Sequence, residues 1–157
     1  MHDAPLPPAG QPPPSPDGAP RPTALSAVTL GTANMSRAFA FYELLGFEPC
    51  HGGADAPFSS FRVGAGFLNL VRRDADVEGA PGSAALAAST DPGTTSTWGR
   101  VIVHVSDVDG FHERIVALGL RPHASPRDAS WGERYFHLTD PDGHELSFAS
   151  PLASRAR

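Results

Sequence analysis

Apolar and polar residues alternate with a period of two in several short stretches of the chain, the spacing of a strand with one buried face. Val28 and Leu30 alternate with Ala27, Thr29 and Gly31, and Leu68 and Leu70 with Phe67, Asn69 and Val71. Val101, Val103 and Val105 alternate with Arg100, Ile102 and His104. Two other stretches carry apolar residues three or four positions apart: Phe39, Tyr42 and Leu45, then Val108, Phe111, Ile115 and Leu118. That spacing predicts two amphipathic helices.

The pattern repeats. Ala27 to Pro49 (AVTLGTANMSRAFAFYELLGFEP) aligns without a gap on Arg100 to Pro122 (RVIVHVSDVDGFHERIVALGLRP) at an offset of 73. Each copy is a β-branched strand, a turn with a capping residue, a helix, and an ending of Leu-Gly, an apolar residue, any residue and Pro. Asn34 or Ser36 suits the first N-cap and Asp107 or Asp109 the second, while Gly46 and Gly119 stand where a helix ends in a left-handed residue. Alternating segments with turn signals follow each helix: SSFRVGAGFLNLV, then WGERYFHLTDPDGHELSFA. The sum is strand, helix and β-meander, twice over.

Asp140-Pro141-Asp142-Gly143 has the residues of a type I turn. A three-residue loop closed by a glycine bulge would pair 140 with 144 and place 137 opposite 147. In that register Tyr135, His137, Thr139, Glu145, Ser147 and Ala149 share one face, and Phe136, Leu138, Leu146 and Phe148 the other. The apolar face must pack on the helices. These strands thus share an aliphatic helix-facing side and a mixed polar and aromatic side. The predicted fold is α+β: two βαβββ modules forming a curved, barrel-like mixed sheet with the helices outside.

Composition sets limits on this reading. The chain has 157 residues, with Lys+Arg 12 against Asp+Glu 17 and a net charge of −5. Nothing in that balance attracts a nucleic acid. Its single cysteine, Cys50, allows no internal disulfide and suits a reducing compartment. No run approaches the roughly 18 apolar residues of a membrane span, nor does the start resemble a signal peptide, so a cytoplasmic protein without a membrane partner is expected. Residues 1–23 hold nine of the seventeen prolines and are predicted to form a disordered tail. Module one is assigned to 24–75, a Gly, Ala, Ser and Thr-rich linker to 76–97, module two to 98–151, and a short tail to 152–157.

SRAFAFYELLGFEP after the first strand, VIVHVSDVDGFHERIVALGLRP in the second copy and WGERYFHLTDPDGHELSFASP at the end, in this order, resemble the vicinal oxygen chelate superfamily. That group includes glyoxalase I, extradiol dioxygenases, fosfomycin-modifying enzymes and bleomycin-binding resistance proteins. The resemblance covers roughly residues 24 to 151. It implies a cavity in which four side chains, one from the first and one from the last strand of each module, hold a divalent metal in the catalytic members.

Here those positions fall on Ala27, Asn69, Arg100 and Ser147. Ala27 cannot coordinate, Arg100 brings a permanent cation, and the other two offer weak neutral oxygens. The chain therefore looks most similar to the bleomycin-resistance-like branch, whose members dimerise and protect by sequestration without a catalytic metal. No metal ligand, catalytic residue or cofactor is assigned.

The resemblance implies a homodimer that takes a small organic ligand. Arg100 would hold an anionic or carbonyl oxygen, and Asn69, Ser147, His137 and Tyr135 would supply hydrogen bonds. Phe67 and Trp131 would form apolar walls, with His104 and Glu145 completing the lining; Glu145 also suits an ion pair with Arg100. Trp98 and Trp131 each precede a second-module strand, and either indole could stack on a ligand.

Three other readings stay open. A lyase, isomerase or dioxygenase could use a displaced metal on His104, His137 and Glu145. A metal-independent enzyme could use His104 or His137 as general base. Alternatively, the fold could be a scaffold whose proline-rich tail recruits a partner.

Overall fold

A computed structural model describes residues 22–73 and 99–153. The proline-rich tail up to residue 21, the linker, Trp98 and the last four residues lie outside the described residues. The order is β1 (Ala27–Thr32), α1 (Met35–Leu45), β2 (Glu48–His51), β3 (Phe58–Val63) and β4 (Gly66–Arg72) in the first module. The second has β5 (Arg100–His104), α2 (Val108–Ala117), β6 (Arg127–Asp128), β7 (Glu133–Thr139) and β8 (Glu145–Pro151). Both are βαβββ units, as the repeat predicts.

Each module forms its own four-stranded mixed sheet, in the orders β1-β4-β3-β2 and β5-β8-β7-β6. The first strand of each runs parallel to the last, Ala27 beside Phe67 in one and Arg100 beside Glu145 in the other. The barrel-like sheet expected from the sequence is thus two curved sheets that do not close into a barrel.

The helices start where their caps dictate. The side chain of Asn34 accepts from the Arg37 amide and that of Asp107 from the Gly110 amide, so Ser36 and Asp109 are not the caps. Asp109 instead takes Arg134 in an ion pair at 2.7 Å. α1 ends at Gly46, whose φ of 93° is costly for any residue with a Cβ. Arg114 of α2 reaches across the module boundary and donates to the carbonyls of Leu44 and Leu45, placing a cation at the negative end of α1.

One apolar core runs under both sheets. On the helix-facing side Phe136, Leu138, Leu146 and Phe148 are all at most 2% exposed, as the register predicts. Phe39, Tyr42, Phe47 and Phe61 pack as an aromatic cluster under β3 and β4. Leu118, expected on the buried stripe of α2, is instead exposed, because the helix has ended one residue before it.

The β7–β8 turn fastens the modules together. The Asp140 amide donates to the His144 carbonyl, the backbone bond expected of a three-residue loop, and Gly143 at φ 89° closes it. Asp140 Oδ1 accepts from the amides of Asp142 and His144, while Oδ2 accepts from the hydroxyl of Tyr42 in α1 at 2.8 Å. Asp142 accepts from the Ala33 amide, and Arg37 donates to the Pro141 carbonyl. His144 is buried with Nε2 2.8 Å from the Gly31 carbonyl. Burial raises the pKa of Asp140 from its ordinary value, and burial with the nearby Asp140 charge raises that of Tyr42.

Candidate functional site

The face of the second sheet turned away from the helices carries most of the candidate residues. Across β5, β8 and β7 they stand in rows: Arg100, Glu145 and Thr139; Ile102, Ser147 and His137; His104, Ala149 and Tyr135. The middle strand supplies small residues, Ser147 and Ala149, at 4% and 1% exposure. Long side chains on the flanking strands can therefore reach each other over them. Arg100 Nη1 lies 3.0 Å from His137 Nε2, and His104 Nε2 lies 2.8 Å from Glu133 Oε1.

Arginine can only donate, so His137 Nε2 is the acceptor and the proton of the neutral ring belongs on Nδ1. Arg100 Nε also forms an ion pair with Glu145 Oε1 at 3.0 Å, as the sequence suggests. His137 Nδ1 stands 3.9 Å from that same oxygen, beyond hydrogen-bond length. Burial, reinforced by the Arg100 charge, lowers the His137 pKa. The imidazole is thereby kept neutral, as its acceptor role requires.

An aromatic row borders this cluster. Trp131 stacks on Tyr135 at 5.6 Å between centroids, and Tyr135 contacts His137 at 5.0 Å. The indole also donates to Glu133 Oε2, so Glu133 links His104 and Trp131, and the His104 bond chiefly lowers its pKa.

Four residues missed in the sequence reading join the site: Glu133, Arg127, Ile102 and His123. Arg127 donates to the Tyr135 hydroxyl and covers its ring. Ile102 stands 59% exposed between Arg100 and His104. His123, given no role from sequence, lies 2.6 Å from Thr139 Oγ1 with its ring 6.3 Å from that of His137. Alternation marks the face of Glu133 and Ile102, but no periodic signal exists in the loop that delivers His123.

The first sheet contributes less. Asn69 accepts from Ser60 and donates to Thr29, so its amide is already engaged. Phe67 is partly exposed beneath the Arg62 guanidinium.

The four positions at which the resemblance implies metal ligands do not fit a metal. Ala27 has no donor atom, Arg100 is a cation tied to Glu145, Asn69 is committed to its neighbours, and Ser147 is buried. Nor do His104, His137 and Glu145 converge as a displaced set: His104 turns to Glu133, and His137 presents Nε2 to Arg100. Among the described residues no three His, Cys, Asp or Glu side chains are grouped to hold an ion. No helix among them is long and apolar enough to cross a membrane.

Two βαβββ modules, each with an apolar helix-facing side and an open polar side, define a module-pair architecture built to present a site on its sheets. The chain belongs to the glyoxalase/bleomycin resistance protein/dioxygenase superfamily, whose family model matches residues 24–148.

Solved structures agree on the fold. A glyoxalase/bleomycin resistance protein/dioxygenase from Nocardioides is 20% identical with a TM-score of 0.60, covering 88% of this chain and 91% of its own. Lactoylglutathione lyase from Agrobacterium tumefaciens is 20% identical at 0.61, covering 82% and 94%. A bleomycin resistance determinant encoded on the transposon Tn5 is 23% identical at 0.59, covering 82% and 98%. No curated protein matches the chain.

Proposed function

We propose that this protein binds a small organic molecule on the open face of its sheets and sequesters it, without the metal chemistry of the catalytic superfamily members. The observation that carries this reading is Arg100. It occupies a position where the resemblance implies a metal ligand, and its guanidinium is held by Glu145 at 3.0 Å and His137 at 3.0 Å. A fixed cation at that point can serve the ligand oxygens that a metal would otherwise hold.

Tyr135, His137 and Asn69 supply polar contacts in this reading, with His104, Glu145 and the buried Ser147 shaping the floor. Phe67 and Trp131 form the walls, and Trp131 at 67% exposure is the most open aromatic of the set. The same fold in a bleomycin resistance determinant encoded on Tn5 supports a ligand-binding reading. We place the protein in the cytoplasm as a homodimer, an assembly that would cover part of the open faces.

A panel of small carboxylates and aromatic antibiotics, scored by thermal shift, tests the reading. A hit is expected to lose its shift in Arg100→Ala. A hit retained unchanged in that variant would remove Arg100 from the site.

A further inference from the structure

We propose that the protein takes up an anion together with a proton: protonation of His137 draws Glu145 off the Arg100 guanidinium and leaves that cation to the ligand. This rests on Arg100 as the ligand anchor and names what frees it.

In the structure Arg100 is already engaged. Its guanidinium turns across β8, with Nε 3.0 Å from Glu145 Oε1 and Nη1 3.0 Å from His137 Nε2. The contact with Glu145 is an ion pair without the alignment of a hydrogen bond, and Glu145 Oε1, shielded from solvent, has no hydrogen-bond partner among the described residues. The same holds for His137 Nδ1. These two atoms stand 3.9 Å apart, beyond hydrogen-bond length. Because Nδ1 carries the proton of the neutral ring, a buried donor and a buried acceptor lie side by side unjoined. That arrangement costs free energy until it closes.

Protonation closes it. A proton on Nε2 removes the lone pair that Arg100 uses and sets two cations 3.0 Å apart. It also turns Nδ1–H into a charge-assisted donor for Glu145. The ring is pushed from the guanidinium and pulled toward the carboxylate, over a gap of only about 1 Å. Arg100, with its side chain 47% exposed, is left with a planar fork of donors on the open face. Such a fork suits a carboxylate.

Charge fixes the sign. With a neutral ring, Arg100 and Glu145 cancel; with an imidazolium, the trio has one surplus positive charge, which a monoanion balances. The surroundings act in the same direction. His123, from the loop before β6, has its ring 6.3 Å from that of His137, and Tyr135 stands 5.0 Å away with Arg127 of β6 over its ring. Burial and Arg100 disfavour the imidazolium most, His123 and Arg127 add to them, and Glu145 alone opposes. An anion at Arg100 offsets these cations and makes His137 easier to protonate. By linkage, the proton then strengthens anion binding by the same factor.

Benzoate titrated into the full-length protein, followed by NMR at about pH 8 and about pH 5.5, tests the coupling, because it stays largely ionised over that range. Full coupling of about tenfold should appear as a severalfold gain in affinity at the lower pH. His137→Gln, which cannot titrate, should abolish the gain, while His104→Gln and His123→Gln should keep most of it. Glu145→Gln should bind benzoate tightly already at pH 8, with little further gain in acid. Saturating benzoate should move the titration midpoint of His137, read from its ring protons, upward in the native protein.

That midpoint decides if His137→Gln does not fold. A midpoint indifferent to benzoate, or an acid gain that survives in His137→Gln, would overturn the proposal. Benzoate bound equally at both pH values but lost in Arg100→Ala would also overturn it, and would leave the Arg100 anchor standing. Benzoate binding unchanged in Arg100→Ala would instead remove the anchor itself.

Discussion

Arg100 donates through Nη1 to His137 Nε2 across 3.0 Å, spanning the strand that carries Ser147. The contact exists only while the imidazole is neutral, since a protonated ring has no lone pair to accept. It joins the guanidinium proposed to anchor the ligand to a titratable group.

That relationship sets a pH dependence. The folded-state pKa of His137 is lowered, by burial first and by Arg100 second, so between the folded value and about 6.5 the unfolded chain binds more protons. Stability from this residue is present above about 6.5, declines as pH falls toward the folded value, and levels off below it. Chemical denaturation of native protein and His137→Gln across pH 5 to 8 should show the native curve losing more stability on acidification. Parallel curves would mean that His137 is as easily protonated folded as unfolded.

Glu145 neutralises much of the Arg100 charge in the free protein, through the 3.0 Å ion pair. Glu145→Gln keeps the shape and removes the compensating charge. Carboxylate binding, followed by calorimetry at low salt, should strengthen severalfold, about 1 kcal/mol, and the gain should shrink at high salt. Weaker binding would show that the carboxylate is needed to hold Arg100 in place.

The bond from the Tyr42 hydroxyl to Asp140 is a buried tie between the modules, at 2.8 Å. Tyr42→Phe leaves Asp140 Oδ2 without that donor and should cost about 1–3 kcal/mol in urea denaturation, as removal of a buried hydrogen bond to a charged group does. Ligand affinity at Arg100 should change little, because the guanidinium is held by Glu145 and His137 and not by Asp140. A null effect on stability would mean that the Asp142, Arg37 and Arg114 contacts suffice to dock the modules.

Much of this fold is legible in the sequence, because one-sided strands and amphipathic helices declare their buried faces. The repeat at offset 73 gave equivalent strands and helices, and Asp140-Pro141-Asp142-Gly143 set the register that places His137 opposite Ser147. What one face does with its residues is less legible. Alternation brings Arg100, His104, His137 and Glu145 to one side but cannot say that His104 prefers Glu133 over a shared ion, a choice made by which small residues lie between them. His144 shows the same limit: its position reads as the end of a surface turn, and only the docking of that turn on β1 buries it.

A homodimer is the assembly proposed for the open faces. Sedimentation equilibrium at micromolar concentration should give twice the chain mass, and Ile102→Asp, at a 59% exposed apolar position, should leave the fold intact. A monomer at all concentrations would mean that each chain completes its own site.

Metal content tests the central claim most directly, because Arg100 and Ala27 are argued to have replaced coordination by a cation. Purified, untagged protein would be incubated with Zn, Ni, Fe(II) and Mn, desalted, and assayed by mass spectrometry. The account predicts less than about a tenth of an equivalent of every metal, as expected when no ligand set is assembled. Near-stoichiometric metal, lost on mutating His104, His137 or Glu145, would contradict it and make this protein a metalloenzyme with a relocated centre.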